Sequence, residues 1–175
     1  MTEPYTLAQL AAYADPQFDQ HFLVNREKLS RIVAAAEIMP EDRVLEIGAG
    51  MGTVARELPP CAKLTLVEFD SRLIEPLRAA VPGAEVKHGD ALKLLGAIPF
   101  DVLISNLPHR VTVDVLTLLP TLKFRAALIT MAELTELSPL MNVGFEYEIV
   151  TRIGGADFSP PQDSLAQVVK LTKSR

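Results

Sequence analysis

Apolar positions in this chain fall into two kinds of run that alternate along its length. Short blocks dominated by Val, Leu, Ile and Phe, such as Arg43-Val44-Leu45-Glu46-Ile47, Lys63-Leu64-Thr65-Leu66-Val67 and Phe100-Asp101-Val102-Leu103-Ile104-Ser105, have the length and texture of buried strands. Between them lie stretches with helical spacing. Residues 25–37 place Leu29, Ile32, Val33 and Ala36 on one face, and residues 7–13, 53–58, 71–80 and 111–119 read as further helices, with Ser71 as a cap for the fourth of these five. Strands near residues 84–87, 124–131, 144–153 and 165–171 complete the set. The last two are close in sequence and separated by a Gly- and Pro-containing loop, so they are expected to form an antiparallel pair at the end of the sheet. The predicted fold class is α/β, a seven-stranded Rossmann-like sheet with helices on both faces and a ligand at the carboxyl edge of its strands. One domain is expected over residues 1–175, with an N-terminal helical segment and lid in 1–40 and the core in 43–172. No repeat, low-complexity tract or long linker interrupts it.

Composition narrows the class. Hydrophobic residues make up 49% of the 175 positions, which suits a folded core and not a disordered chain. No apolar run approaches the roughly 20 residues of a membrane span. The start Met1-Thr2-Glu3-Pro4 does not resemble a secretory signal, so a cytoplasmic protein without a membrane partner is expected. Cys61 is the only cysteine, which excludes an intrachain disulfide and a cysteine metal cluster. His21, His88 and His109 show no close ligand spacing, and no metal is expected. The net charge of −5 weighs against strong unaided binding to nucleic acid. Local cations at Arg26, Lys28 and Arg31, at Arg110, and at Lys170, Lys173 and Arg175 could still form patches, or they could be solvated faces of mixed charge.

Candidate chemistry sits where the strands end. Gly48-Ala49-Gly50-Met51-Gly52 follows the 43–47 strand at once, and glycine is needed where a chain turns tightly or a ligand approaches the backbone. The spacing is not G-x-G-x-x-G, and Glu46 just ahead of it would repel a pyrophosphate. A ligand carrying an ammonium and a sulfonium, as S-adenosylmethionine does, suits that carboxylate. The next strand ends in Glu68-Phe69-Asp70, where a carboxylate can grip a ribose diol. The one after it ends in His88-Gly89-Asp90-Ala91, where Asp90 can accept from an adenine amino group. Singly, each carboxylate could equally be a surface or capping residue; their placement after successive strands favours the site. At the end of the 100–105 run stands Asn106-Leu107-Pro108-His109. A side-chain amide oxygen at Asn106 and the carbonyl of Leu107 form a pair of acceptors that could hold a planar nitrogen and aim its lone pair. Pro108 stiffens the turn and has no N–H to compete. An ordinary strand-to-loop turn would also explain the tetrapeptide taken alone.

Taken in order, Leu45-Glu46-Ile47-Gly48-Ala49-Gly50-Met51-Gly52, Val67-Glu68-Phe69-Asp70, Gly89-Asp90-Ala91 and Asn106-Leu107-Pro108 resemble the successive motifs of the ribosomal RNA adenine dimethyltransferases of the KsgA and Erm type. Asp19-Gln20-His21-Phe22-Leu23-Val24-Asn25 is similar to the family's segment over the cofactor. Phe158-Ser159-Pro160-Pro161-Gln162-Asp163-Ser164 is similar to its stretch before the last strand. The resemblance implies S-adenosyl-L-methionine as cofactor, held by Gln20, His21, Leu23, Glu46, Gly48, Gly50, Gly52, Glu68, Phe69, Asp90, Ala91 and Asn106. It implies catalysis at Asn106, Leu107, Pro108 and His109, on an adenine amino group flipped out of ribosomal RNA. His109 stands where the family has Tyr or Phe, the segment between residues 131 and 158 is shorter, and the family's C-terminal helical domain is expected to be lacking. Whether a homodimer replaces that domain is left open. Two other readings remain: a methyltransferase of a small-molecule or protein amine, and a non-catalytic cofactor-binding module acting through a protein partner.

Overall fold

A computed structural model describes residues 5–163 and 165–174. Three sequence features therefore fall outside the described residues: the start Met1-Thr2-Glu3-Pro4, Ser164 in the stretch after Phe158, and Arg175. In chain order the elements are α1 (Leu7–Tyr13), β1 (Phe22–Leu23), α2 (Arg26–Ala36), β2 (Arg43–Ile47), β3 (Lys63–Glu68), α3 (Ile74–Ala80), β4 (Glu85–His88), α4 (Ala91–Leu95), β5 (Val102–Ser105), α5 (His109–Leu118), β6 (Ala126–Ala132), α6 (Ser138–Met141), β7 (Phe145–Ile153), β8 (Phe158–Ser159) and β9 (Ala166–Lys173). The main sheet has seven strands in the order β4-β3-β2-β5-β6-β9-β7. From β4 to β6 neighbours are parallel, whereas β9 runs antiparallel to both β6 and β7. The expected α/β Rossmann-like architecture and the antiparallel end pair are both present.

Strand alternation explains why the central runs are apolar at nearly every position. Val44, Val102, Ile104 and Leu128 face α2, meeting Leu29, Ile32 and Ala36, while Leu45, Ile47, Leu103 and Ile129 face Val115 and Leu119 on the other side. Both faces are covered, so both are built mainly of apolar side chains. The chain proceeds outward from β2 through β3 to β4, then crosses back to β5. That reversal parts the loops after β2 and β5 and leaves a crevice at the carboxyl edge.

Several local expectations change. Residues 53–58 form turns and one 3-10 turn, Ala55–Glu57, in place of an α-helix. Gly52 enters the segment with φ +74°, and Pro59-Pro60 closes it within two residues of Glu57, too short a run to propagate helical hydrogen bonds. Asp70, not Ser71, caps the following helical segment, its carboxylate accepting from the Arg72 N–H at 2.9 Å. A 3-10 turn, Ser71–Leu73, precedes α3. The helix expected from residue 111 starts at His109, directly after Pro108. α4, α6 and the β1–β8 pair, with Phe22 opposite Ser159 and Leu23 opposite Phe158, have no counterpart in the sequence reading. Each is five residues or shorter, below the length at which periodicity is readable.

Candidate active site

A cavity of about 480 Å³ opens at the carboxyl edge, walled by the loops after β2, β3, β4, β5 and β6 and covered by residues 17–22. Its size is within the usual range for a small-molecule site. The glycine loop forms its floor. Gly48, Gly50 and Gly52 all have positive φ (71°, 55° and 74°), which a side chain would strain. Close neighbours add to the requirement: a Cβ on Gly48 would lie 2.5 Å from Leu107 Cδ2 and 2.9 Å from the Asn106 carbonyl oxygen, one on Gly50 2.8 Å from the Phe22 ring, and one on Gly52 2.8 Å from Val81. The glycine loop and the Asn106 turn are therefore in direct contact.

Carboxylates organise this floor. Glu68, at the end of β3, accepts from the Gly50 N–H at 2.7 Å and from the Asp70 N–H at 2.8 Å, so it holds the loop while lining the cavity. Burial raises its pKa, and the N–H donors of Asp70, Gly50 and Phe69 pull it back. Glu46 lines the same cavity, 1% exposed, with Oε2 lacking a hydrogen-bond partner among the described residues. Burial, reinforced by the neighbouring Glu68 charge, pushes its pKa up to about 8. An orphaned buried carboxylate oxygen beside bare backbone is a seat for a donor or a cation.

The cover is latched to the floor. Gln20 accepts from the Asp15 N–H at 2.9 Å and donates to Asp70 at 3.2 Å. Arg72 spans Asp70 at 2.6 Å and Asp15 at 3.0 Å, and its guanidinium holds the Asp70 carboxyl below the usual range. Phe18 meets the exposed Phe69 ring edge-on, centroids 5.8 Å apart. His21 Nδ1 lies 2.8 Å from the Pro160 carbonyl oxygen.

On the opposite wall, Asn106, Leu107 and Pro108 carry the chain from β5 into α5. His109 and Arg110, both exposed, stand at the cavity rim. The Asn106 side chain makes no hydrogen bond among the described residues, whereas the Leu107 carbonyl accepts from the Thr112 hydroxyl at 3.1 Å.

Of the residues singled out from the sequence, Gln20, His21, Glu46, Gly48, Gly50, Glu68, Phe69, Ala91, Asn106, Leu107, Pro108 and His109 all line this cavity. Three do not. Leu23 is fully buried in the core beneath the cover, because strand alternation turns Phe22, not Leu23, toward Gly50. Gly52 packs on α3, where a Cβ would meet Val81 and Leu77. The Asp90 carboxylate caps α4 by accepting from the Leu92 N–H at 3.0 Å, and its neighbours Gly89 and Ala91 reach the cavity instead. Of the proposed cations, Arg110 lines the cavity. Arg31 pairs with Glu27, and Lys170 and Lys173 lie toward the end of β9 that pairs with the start of β6, at the far edge of the sheet. Phe18, Arg72 and Thr112 went unnoticed in the sequence. Only Thr112, a hydroxyl in the first turn after the Asn-Leu-Pro segment, offered a local signal.

Comparison with known proteins extends this picture. A family model described as ribosomal RNA adenine dimethylase matches residues 12–135. A probable ribosomal RNA small subunit methyltransferase A of Methanosarcina mazei is 43% identical over 112 residues, covering 62% of this chain and 41% of its own length. The ribosomal RNA small subunit methyltransferase A of Syntrophotalea carbinolica is 36% identical over 167 residues, covering 83% of this chain and 63% of its own. The chain thus spans less than two thirds of either relative. Among solved structures, a dimethyladenosine transferase from Plasmodium falciparum superposes with a TM-score of 0.79 at 26% identity, over 88% of this chain and 64% of that one. The 23S rRNA methyltransferase ErmE superposes at 0.77 and 24%, over 87% and 69%, a likeness of fold.

Proposed function

The chain belongs to the ribosomal RNA adenine dimethylase family, and from that premise we propose that it is one catalytic domain transferring methyl groups from S-adenosylmethionine to an adenine amino group of ribosomal RNA in the cytoplasm. One observation carries the reading: Gly48 abuts the Asn106 turn inside a single cavity, so a ligand on the glycine loop and an amine at Asn106 would be neighbours.

The residues fit the cofactor. The unpartnered Glu46 oxygen and the nearby Glu68 give the cavity two carboxyl groups that a bound ammonium or sulfonium would hold ionised, which favours a ligand bearing such groups and disfavours a phosphate. Glu46 and the glycine backbone would hold its amino-acid part, Glu68 its ribose and Phe69 its base, beneath the cover anchored by Gln20. When bound, it supplies an electrophilic methyl group on a sulfonium centre. The Asn106 amide oxygen and the Leu107 carbonyl then accept from the acceptor's N–H groups, fixing its plane and turning its lone pair inward. His109, at the rim, stacks on the base. Positioning and exclusion of water supply most of the rate, so no strong general base is required.

A second reading, a small-molecule or protein amine as acceptor, is favoured by one feature: among the described residues of the proposed cations only Arg110 lines the cavity, a sparse electrostatic footing for RNA. Incubating the protein with methyl-labelled cofactor and a cell extract, then separating RNA, protein and small molecules, decides between them. Label is expected in RNA as methylated adenosine, and lost in Asn106→Ala while cofactor affinity is kept. Label confined to another fraction would replace the acceptor, and no label in any fraction would leave a binding module.

A further inference from the structure

Thr112 is fully buried at the fourth position of α5, and its hydroxyl oxygen sits among three carbonyl oxygens: Leu107 at 3.1 Å, Pro108 at 3.3 Å and Thr130 at 3.5 Å. A hydroxyl has one proton to give. The Pro108 carbonyl already accepts the Thr112 backbone N–H at 3.0 Å, and Thr130 lies at the limit of hydrogen-bond distance. No backbone amide of a described residue bonds to the Leu107 carbonyl, so the nearest acceptor is also the one the helix leaves unserved. A threonine merely satisfying itself inside a helix would be expected to choose the carbonyl four residues back, here Pro108.

We propose that Thr112 is a positioning residue: by donating to the Leu107 carbonyl from the buried side, its hydroxyl fixes the peptide plane whose remaining lone pair holds the acceptor amine. The role rests on the methyl-transfer reading above. A carbonyl has two lone-pair directions, and a donor fixed on one leaves the other aimed. Because α5 starts at His109, the same bond ties the Asn106 turn to the helix that carries the rim. The link to β6 through Thr130, itself a cavity-lining residue, adds a second support. Misplacement of a held group by even 1 Å is costly in rate, so loss of the hydroxyl should appear in turnover, not in affinity.

The test uses the full chain as wild type, Thr112→Val, which keeps the shape and removes the donor, and Thr112→Ser, which keeps the donor. With carbonyl-13C leucine and 15N proline, the labelled junctions are Leu58-Pro59, Leu107-Pro108 and Leu119-Pro120. The Leu107 carbonyl signal alone should move in the valine variant and return in the serine variant. Turnover at saturating cofactor should fall about tenfold in Thr112→Val, with cofactor affinity and acceptor KM within about twofold of wild type, and recover in Thr112→Ser. Should the valine variant not fold, Thr112→Cys, a weaker donor of similar size, is expected to fall between serine and wild type on one side and complete loss on the other. An unmoved Leu107 signal, undiminished turnover in Thr112→Val, or equal loss in valine and serine variants would overturn the role alone. Absence of transfer by the wild type would overturn the parent reading and this role with it.

Discussion

The two walls of the cavity are built from the same kind of segment, a loop leaving the carboxyl end of a parallel strand, yet they treat their polar groups in opposite ways. After β2 the loop amides are taken up internally: the Gly48 and Ala49 N–H groups donate to the Val67 carbonyl at 2.9 and 3.2 Å, Gly50 to Glu68 at 2.7 Å and Gly52 to the Ala49 carbonyl at 2.8 Å. After β5 the Asn106 side chain makes no hydrogen bond to a described residue, and the Leu107 carbonyl retains a free lone pair beyond its bond to Thr112. One wall is shaped before any guest arrives. The other keeps its acceptors for the guest, a division suited to binding one molecule firmly and holding a second only in its reactive pose.

Asn106→Ala strikes the open wall and should have the largest effect. Transfer is expected to fall about 100- to 1,000-fold, the cost of removing one well-placed polar group, with cofactor affinity within about threefold. Single-turnover rates beside calorimetric titration would show it, and a matched loss of affinity would erase the distinction between the walls. Gly48→Ala attacks the contact that joins them. With φ +71° and a Cβ 2.9 Å from the Asn106 oxygen, it should cost about 2–4 kcal/mol of stability by urea unfolding and depress both binding and transfer.

Glu46→Gln probes the closed wall, and cofactor affinity should weaken about tenfold. Its pH signature is separate. With a pKa of about 8 in the folded protein against 4.5 ordinarily, Glu46 keeps a proton that the unfolded chain has lost. Stability should therefore decline as pH rises from about 4.5 to 8, and Glu46→Gln should flatten part of that decline in thermal melts across the range. Glu68, also raised, contributes a slope of the same sign. The smallest effect is expected at the rim, where His109→Ala should lower transfer about threefold and His109→Phe should restore it, since the exposed ring offers stacking area only.

Much of this arrangement was legible in the residues. Continuous apolar runs marked the parallel strands because both sheet faces are covered, and the glycines and carboxylates fell at strand ends because crevices form there. What escaped had a physical cause in each case. Leu23 looked like part of the covering segment, but a two-residue strand sends neighbours in opposite directions and its register depends on Phe158, far along the chain. Asp90 sat at a strand tip, yet one of its carboxylate oxygens caps a helix of only five residues whose existence no periodicity announces. The Arg72 latch joins Asp15 to Asp70, a contact that only the tertiary fold brings about. Lys170 and Lys173 could have been part of a patch or of a solvated face, and which end of the sheet they occupy is set by the antiparallel course of β9, which carries them away from the crevice.

The β1–β8 clip has a consequence for the order in which the molecule comes together. Two residue pairs, with the bonds of Val24 and Asn25 to Asp157 and of His21 to Pro160 beside them, join segments well over 100 positions apart, so a very long chain loop is closed by one short clip. Such a closure has little to gain until the sheet beneath it exists. The clip should therefore set after the sheet, and amide exchange at Phe22 and Leu23 should slow markedly when a guest is enclosed while the central strands stay unchanged.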